Sequence, residues 1–259
     1  MKLIADRVSK EYVIEARSVS VLEDITFSVN MGERIALLGR SGCGKSTLLK
    51  CIGGFESISS GCLSFDDKKI LKPGSERGIV FQNYSLYPWL TVWENIIFGL
   101  RLQAQRKLYP KGSDPRYELA KYYLDAIKLT GYKDFYPHEL SGGMKQRVAI
   151  ARSFVLQPKI LLMDEPFGAL DAFTRQNMQD LLLRIHGVEK PILIFVTHDI
   201  NEALSIGQRV FVMKDSPGRI AQDIVSDISG SVTYLERSES LEFSVLRRQI
   251  FEELCDESC

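Results

Sequence analysis

Residue types and spacing first add up to chemistry at Gly39-Arg40-Ser41-Gly42-Cys43-Gly44-Lys45-Ser46-Thr47. The spacing is G-x-x-x-x-G-K-S. Its glycines let the backbone curl until several N–H groups point inward, where an anion can accept from them. A helix starting near Lys45 adds the positive end of its dipole. The Lys45 ammonium then reaches the β- and γ-phosphates of a nucleoside triphosphate, and the Ser46 hydroxyl ligates Mg²⁺.

Two further groups carry chemistry. Asp164 and Glu165 end the apolar run Lys159-Ile160-Leu161-Leu162-Met163. One carboxylate there can hold Mg²⁺ directly or through water, and the other can orient and deprotonate an attacking water. Alone, two acids at a strand end read equally well as solvated charges; in a chain with a phosphate loop the catalytic reading prevails. Leu140-Ser141-Gly142-Gly143 sets a hydroxyl and two glycines at a helix start, where free N–H groups form a second anion site. An ordinary N-cap explains the same residues. One nucleotide does not need two such sites, so this one invites a second subunit. Of the three histidines, His198 sits at a strand end in Thr197-His198-Asp199. His138, in Tyr136-Pro137-His138-Glu139, reads as structural and His186 as solvated.

The elements that must position these groups follow from periodicity and turn chemistry. Residues 2–8 and 22–29 alternate as strands, with Lys10-Glu11-Tyr12-Val13 between them. The run 35–38 is a strand feeding the glycine loop, and the helix after it, 45–52, stops at Gly53-Gly54. Residues 57–72 read as a short hairpin with turns at Ser59-Ser60-Gly61 and Asp66-Asp67, and 78–81 as a strand followed directly by Gln82. From about 85 to 157 the pattern is mostly helical. Thr91 caps a helix over 92–100 with Glu94 closing a capping box. Residues 101–115 form a polar, mobile connection, 117–129 an amphipathic helix, and 140–156 another. Beyond the continuous apolar strand 159–163, a helix over 171–187, a strand over 192–196, a helix over 199–206 and a strand over 209–213 alternate. That alternation predicts a parallel sheet with ligands at the strand C-termini. The chain turns polar from Gly230 and ends in a helix whose Leu241, Val245, Ile250 and Leu254 line one stripe. One domain is expected over 1–229, with the helical insertion at about 85–157, and a tail over 230–259.

Composition narrows the function classes. The chain has 259 residues, 45% hydrophobic and 25% charged, with 33 basic residues balancing 33 acidic. That zero net charge disfavours a domain built to hold nucleic acid. Five cysteines with no C-x-x-C pair, one of them inside the phosphate loop, suggest free thiols in a reducing cytosol. No signal peptide and no spanning helix are expected, so at a membrane another chain would hold this one.

Taken together, the motifs resemble those of the ATP-binding cassette (ABC) ATPases, and they stand in that family's order over about residues 1–225. They are Gly39 to Thr47 (Walker A), Gln82 (Q-loop), Leu140 to Gly143 (signature), Ile160 to Glu165 (Walker B) and His198 (H-loop). The resemblance implies a RecA-like P-loop NTPase core with a mainly parallel sheet, an N-terminal antiparallel β subdomain and an inserted helical subdomain. It implies ATP and Mg²⁺ as cofactors and a homodimer in which Ser141 and Gly143 of one subunit contact the γ-phosphate held by Gly39, Arg40, Ser41, Gly42, Cys43, Gly44, Lys45, Ser46 and Thr47 of the other, with Gly142 between them. By the same resemblance Glu165 is the catalytic base, Asp164 and Ser46 hold Mg²⁺, and Gln82 links Mg²⁺ and the attacking water to the transporter. His198 is the switch histidine, Asp171 lies on the loop crossing the dimer interface, and Tyr12 stacks on adenine; a strand-edge tyrosine in the core is the alternative for Tyr12. The signature departs from the family at its fifth residue, Met144 in place of glutamine, which should alter affinity more than mechanism.

Pro88-Trp89-Leu90-Thr91-Val92-Trp93-Glu94-Asn95-Ile96, Phe167-Gly168, Met144 with Gln146-Arg147, and Ser216-Pro217-Gly218-Arg219-Ile220 look like the ATPase subunits of nitrate, sulfonate and taurine importers. Trp89 and Trp93 fit an interface or burial in the helical subdomain equally well. That branch implies integral membrane permease partners, an indirectly coupled solute-binding protein, no nucleic acid, and a peripheral place at the cytoplasmic face of the cell membrane. The alternatives are an efflux or lipid-transport ATPase, a soluble cassette protein of translation or DNA repair, which would need a second cassette or a long coiled-coil insertion, and a P-loop kinase.

Overall fold

The computed structural model describes residues 1–15, 17–83, 85–102, 116–168, 170–215, 217–226 and 240–255. Six strands build the sheet that carries the site: β3 (Arg34–Gly39), β6 (Arg77–Val80), β7 (Ile160–Asp164), β8 (Ile192–Thr197), β9 (Arg209–Lys214) and β10 (Arg219–Val225). Their spatial order is β10-β9-β3-β8-β7-β6. All neighbours are parallel except β10, which runs antiparallel to β9 on the edge.

Side chains alternate across this sheet with period two, and both faces are covered, so its central strands read as continuous apolar runs. Ile35, Leu37, Leu162 and Ile194 point into one core, shared with the helix α1 (Lys45–Gly53) and the second sheet. Ala36, Leu38, Leu161, Met163 and Phe195 point into the other. That core is closed by α2 (Val92–Arg101), α3 (Arg116–Ala126), α4 (Gly142–Phe154), α5 (Ala172–Glu189), α6 (Ile200–Ile206) and α7 (Leu241–Cys255).

The second sheet is antiparallel. The long strands β1 (Lys2–Ile14) and β2 (Arg17–Asn30) pair along their length, and β4 (Ser60–Phe65) with β5 (Lys68–Lys69) completes the order β2-β1-β4-β5. Asp66 and Asp67 have φ of 51° and 63°, the left-handed pair that a two-residue hairpin turn of matching twist requires. The fold is thus the expected P-loop NTPase core with an antiparallel β portion, and α2, α3 and α4 stand between β6 and β7 in the chain.

Several expectations need correction. The strand β10 was not anticipated: Pro217-Gly218 marks a turn before it, but its alternation of exposed and half-buried residues is that of an edge, without an apolar run to signal a strand. His186 is buried, not solvated: α5 runs two residues past the expected stop and packs the imidazole against Pro191, whose carbonyl oxygen lies 2.9 Å from Nε2. In α7 the stripe is Phe243, Leu246, Ile250 and Leu254, while Leu241 and Val245 lie on the opposite, exposed side. Trp89 and Trp93 divide: Trp89 is 69% exposed, and Trp93 is half-buried against the core. The connection expected over 101–115 and the start of the tail fall largely outside the described residues, as do Ala169, Ser216 and Cys259.

Candidate active site

The phosphate-loop candidate leaves the C-terminal end of β3, an interior strand of the parallel set between β9 and β8. Gly44 opens α1 at φ 91°, and a Cβ there would lie 2.6 Å from Leu22 Cδ2, so both conformation and space select glycine. Gly218, before β10, backs the loop closely enough that a Cβ would sit 2.2 Å from the Cys43 carbonyl oxygen. Its N–H donates to Val21 O and its carbonyl accepts from Glu23 N, at 2.9 and 3.0 Å, tying β2 to the loop.

Lys45 is buried. Its Nζ donates to Gly39 O at 2.8 Å and Arg40 O at 2.6 Å, and approaches Cys43 Sγ at 3.6 Å. Arg40, Ser41 and Gly42 are exposed, and Ser46 and Thr47 half-buried, so one side of the loop stays open while Lys45 crosses behind it. Burial raises the Cys43 pKa, which keeps the thiol protonated.

The order β3-β8-β7-β6 brings the ends of four parallel strands to one edge. The Ser46 hydroxyl donates to Asp164 Oδ1 at 2.8 Å. Glu165 follows Asp164 with φ 44°, a left-handed turn that costs a non-glycine residue about 1 kcal/mol. The turn places its carboxylate between two other side chains: Gln82 Nε2 donates to Glu165 Oε2 at 3.2 Å, and His198 Nδ1 lies 3.5 Å from Glu165 Oε1. Gln82 is exposed, and His198 keeps most of its side chain in solvent. Lys45, Ser46, Gln82, Asp164, Glu165 and His198, scattered over more than 150 positions, therefore form one constellation.

Tyr12 stands at the far end of the loop, close to the side chains of Thr47 and Glu56. Burial and the Glu56 charge raise its pKa. Lys10 Nζ lies 4.6 Å over the ring centroid.

Ser141 and Gly142 are placed elsewhere. Ser141 caps α4, accepting from Met144 N at 3.3 Å, and both residues are exposed. Gly143 faces α5, where a Cβ would come 2.8 Å from Thr174 Cγ2. The hydrogen bonds described for Ser141 stay within α4. Asp171 caps α5 through Thr174 N at 3.0 Å, and that backbone bond first of all holds its carboxyl below the usual range.

Two neighbours of the site carried no motif of their own. Arg175 donates to Leu170 O at 3.1 Å and lies 3.7 Å from Asp199 Oδ2, so it joins the Asp171 loop to the His198 loop. Its only sequence signal is a cation four residues after Asp171. Glu202, buried on α6, accepts from the Thr197 hydroxyl, and burial raises its pKa. It stands three residues after the cap Asp199, a spacing that marks a helix start without marking a site.

Comparison with known proteins places the chain in a family. The family model described as ABC transporter matches residues 22–168. A nitrate import ATP-binding protein, NrtD of Synechocystis sp., is 42% identical over 89% of this chain and 84% of its own length. An aliphatic sulfonates import ATP-binding protein, SsuB of Bacillus subtilis, is 41% identical over 94% of this chain and 91% of its own. Among solved structures, the dimeric post-hydrolysis state of the ATP-binding cassette MJ0796 bound to ADP and Pi superimposes with a TM-score of 0.74 at 29% identity, covering 86% of this chain and 98% of that one.

Proposed function

The chain belongs to the ABC transporter family, and from that premise we infer that it is the ATP-hydrolysing subunit of an importer for a small solute of the nitrate, sulfonate or taurine kind. The observation that carries the catalytic part is the meeting of Gln82 and His198 on Glu165 beside the Ser46–Asp164 hydrogen bond. The solute class rests on relatives named for nitrate and for aliphatic sulfonates.

ATP and Mg²⁺ fit the residues present. The loop of residues 39–47 presents an open backbone face, and the Lys45 ammonium is held on carbonyl oxygens that phosphate oxygens can replace. Ser46 and Asp164 are the residues that would hold Mg²⁺, with Gln82 next to them. Among the described residues no cluster of three His, Cys, Asp or Glu stands ready to hold a metal alone, so Ser46 and Asp164 would hold Mg²⁺ together with the nucleotide, where it would neutralise charge on the phosphates.

Glu165 is the general base. Its carboxylate, aimed by the left-handed turn, accepts the proton of the attacking water while Gln82 orients the pair. His198 senses the γ-phosphate from the other side of Glu165. Tyr12 offers adenine an aromatic neighbour beside Thr47, and Lys10 already covers part of that ring. Ser141 and Gly142, exposed at the start of α4, and Gly143 behind them complete the site of a second copy, with Asp171 between the two. The domain spans 1–229 with the helical subdomain at about 85–157, and 230–259 is a tail. No helix among the described residues is long and apolar enough to cross a membrane. The subunit works at the cytoplasmic face of the cell membrane, attached to permease subunits that receive solute from a binding protein.

The test is Glu165→Gln. We expect hydrolysis to fall at least about 100-fold while ATP binding persists. Turnover at the wild-type rate in that variant overturns the assignment of Glu165.

A further inference from the structure

A cleft of about 240 Å³ opens at the seam of α3, α4 and α5 and shares no residue with the site above. Its charged lining is entirely cationic: Lys128 after α3, Arg147 on α4 and Arg184 on α5. Among the described residues none of the three has an ion pair, whereas Arg175, also on α5, is paired with Asp199. Arg147 donates weakly to Ile127 O at 3.4 Å, and its Nε is shut off from solvent with no hydrogen-bond partner. A guanidinium N–H deprived of both water and an acceptor is costly, and native structures keep few such groups. The rest of the lining is apolar apart from Asn177 and includes Ile127, Leu181 and Phe173, the last 77% exposed. Three converging cations beside an uncovered aromatic and two aliphatic side chains match one ligand chemistry, an oxyanion head on an apolar body.

We propose that this cleft binds a small organic oxyanion such as an alkanesulfonate, with its head among Lys128, Arg147 and Arg184 and its body against Ile127, Leu181 and Phe173. The ligand touches the helices between β6 and β7 and also α5, so its occupancy ties those elements together. The site stands independently of the catalytic assignment, because no residue is shared.

Calorimetric titration of sodium 1-propanesulfonate into the full-length chain tests it, with excess ADP filling the phosphate loop so that the probe cannot bind there. The wild type should show saturable one-to-one binding. The double variant Lys128→Gln/Arg184→Gln removes two exposed charges without touching the core; it should bind about tenfold more weakly or worse, with basal ATP turnover unchanged. A control, Lys68→Gln/Lys69→Gln, removes two exposed lysines elsewhere and should bind like the wild type. Inorganic sulfate, a head with no body, should bind more weakly than the sulfonate. Equal affinity of the wild type and the Lys128/Arg184 variant overturns the site, as does heat reproduced by sodium chloride or the lack of saturable binding up to about 10 mM. Equal affinity for sulfate overturns the apolar half of the assignment.

Discussion

His186 is 2% exposed, and its Nε2–H donates to Pro191 O just past the end of α5. Burial, then the nearby Arg34 charge, lowers its pKa from 6.5 to about 4. The unfolded chain protonates this residue below about 6.5, while the folded chain refuses the proton until about 4. Between those values the unfolded state binds more protons, so stability falls as pH drops through the window. By pH 5 the loss is roughly 2 kcal/mol. In urea unfolding at pH 7 and pH 5, His186→Gln should lose less stability than the wild type by about that amount; an equal loss would show that His186 does not titrate this way. The residue's misreading is instructive. A histidine near a predicted helix end looks solvated until the helix is seen to run two residues further. Glu165 was readable because its meaning lies in its immediate neighbours, Asp164 before it and an apolar strand before that. Its left-handed φ was not, since nothing in Asp-Glu-Pro demands one.

At the scale of elements, local chemistry was legible and tertiary placement was not. The capping box of α2 is complete in both directions, with Glu94 N donating to Thr91 Oγ1 and Thr91 N to the Glu94 carboxylate. Thr-x-x-Glu states it in four residues, and Thr91→Ala should cost about 1 kcal/mol in denaturant unfolding. Asn95, one residue further, does more and carried no signal. Fully buried, it accepts from Tyr87 N at 2.9 Å and donates toward the carbonyls of Tyr87, Leu90 and Thr91 at 3.0 to 3.1 Å. It thereby moors part of the loop between Gln82 and α2 to the helix. Asn95→Leu would leave the Tyr87 N–H and the Leu90 carbonyl without these partners, for a loss of about 2–3 kcal/mol. ATP turnover should drop as well, because the chain leading from Gln82 loses its anchor. Unchanged stability and turnover together would remove Asn95 from this role. The stripe of α7 failed in sequence for a related reason. Leu241 and Val245 are as apolar as Leu246, and only contact with α6 and β9, with Glu253 paired to Lys214 at 2.8 Å, decides which side faces in.

For the whole molecule the decisive fact is where the two glycine-rich helix starts end up. The parallel order brings Lys45, Asp164, Glu165, Gln82 and His198 to one edge, yet leaves Ser141 and Gly142 exposed at the start of α4, their hydrogen bonds among the described residues lying inside that helix. Two anion-binding helix starts were visible in the sequence, but a sequence read alone cannot say whether they face one another within a chain or across two. A composite site in which Ser141 serves the loop of a second copy makes a prediction that a single-chain site forbids. A Lys45→Ala chain and a Ser141→Arg chain should each be nearly inactive. Their mixed dimer, if the site is shared, holds one site with both defects and one with none. An equal mixture would then recover roughly a quarter of the wild-type rate, from half the dimers carrying one intact site each. If each site lies within one chain, both members of every pair stay defective and mixing restores nothing. Steady-state ATPase assays across mixing ratios separate the two cases, because the shared site gives a rate peaking at equal proportions and the single-chain site gives a line between two low endpoints.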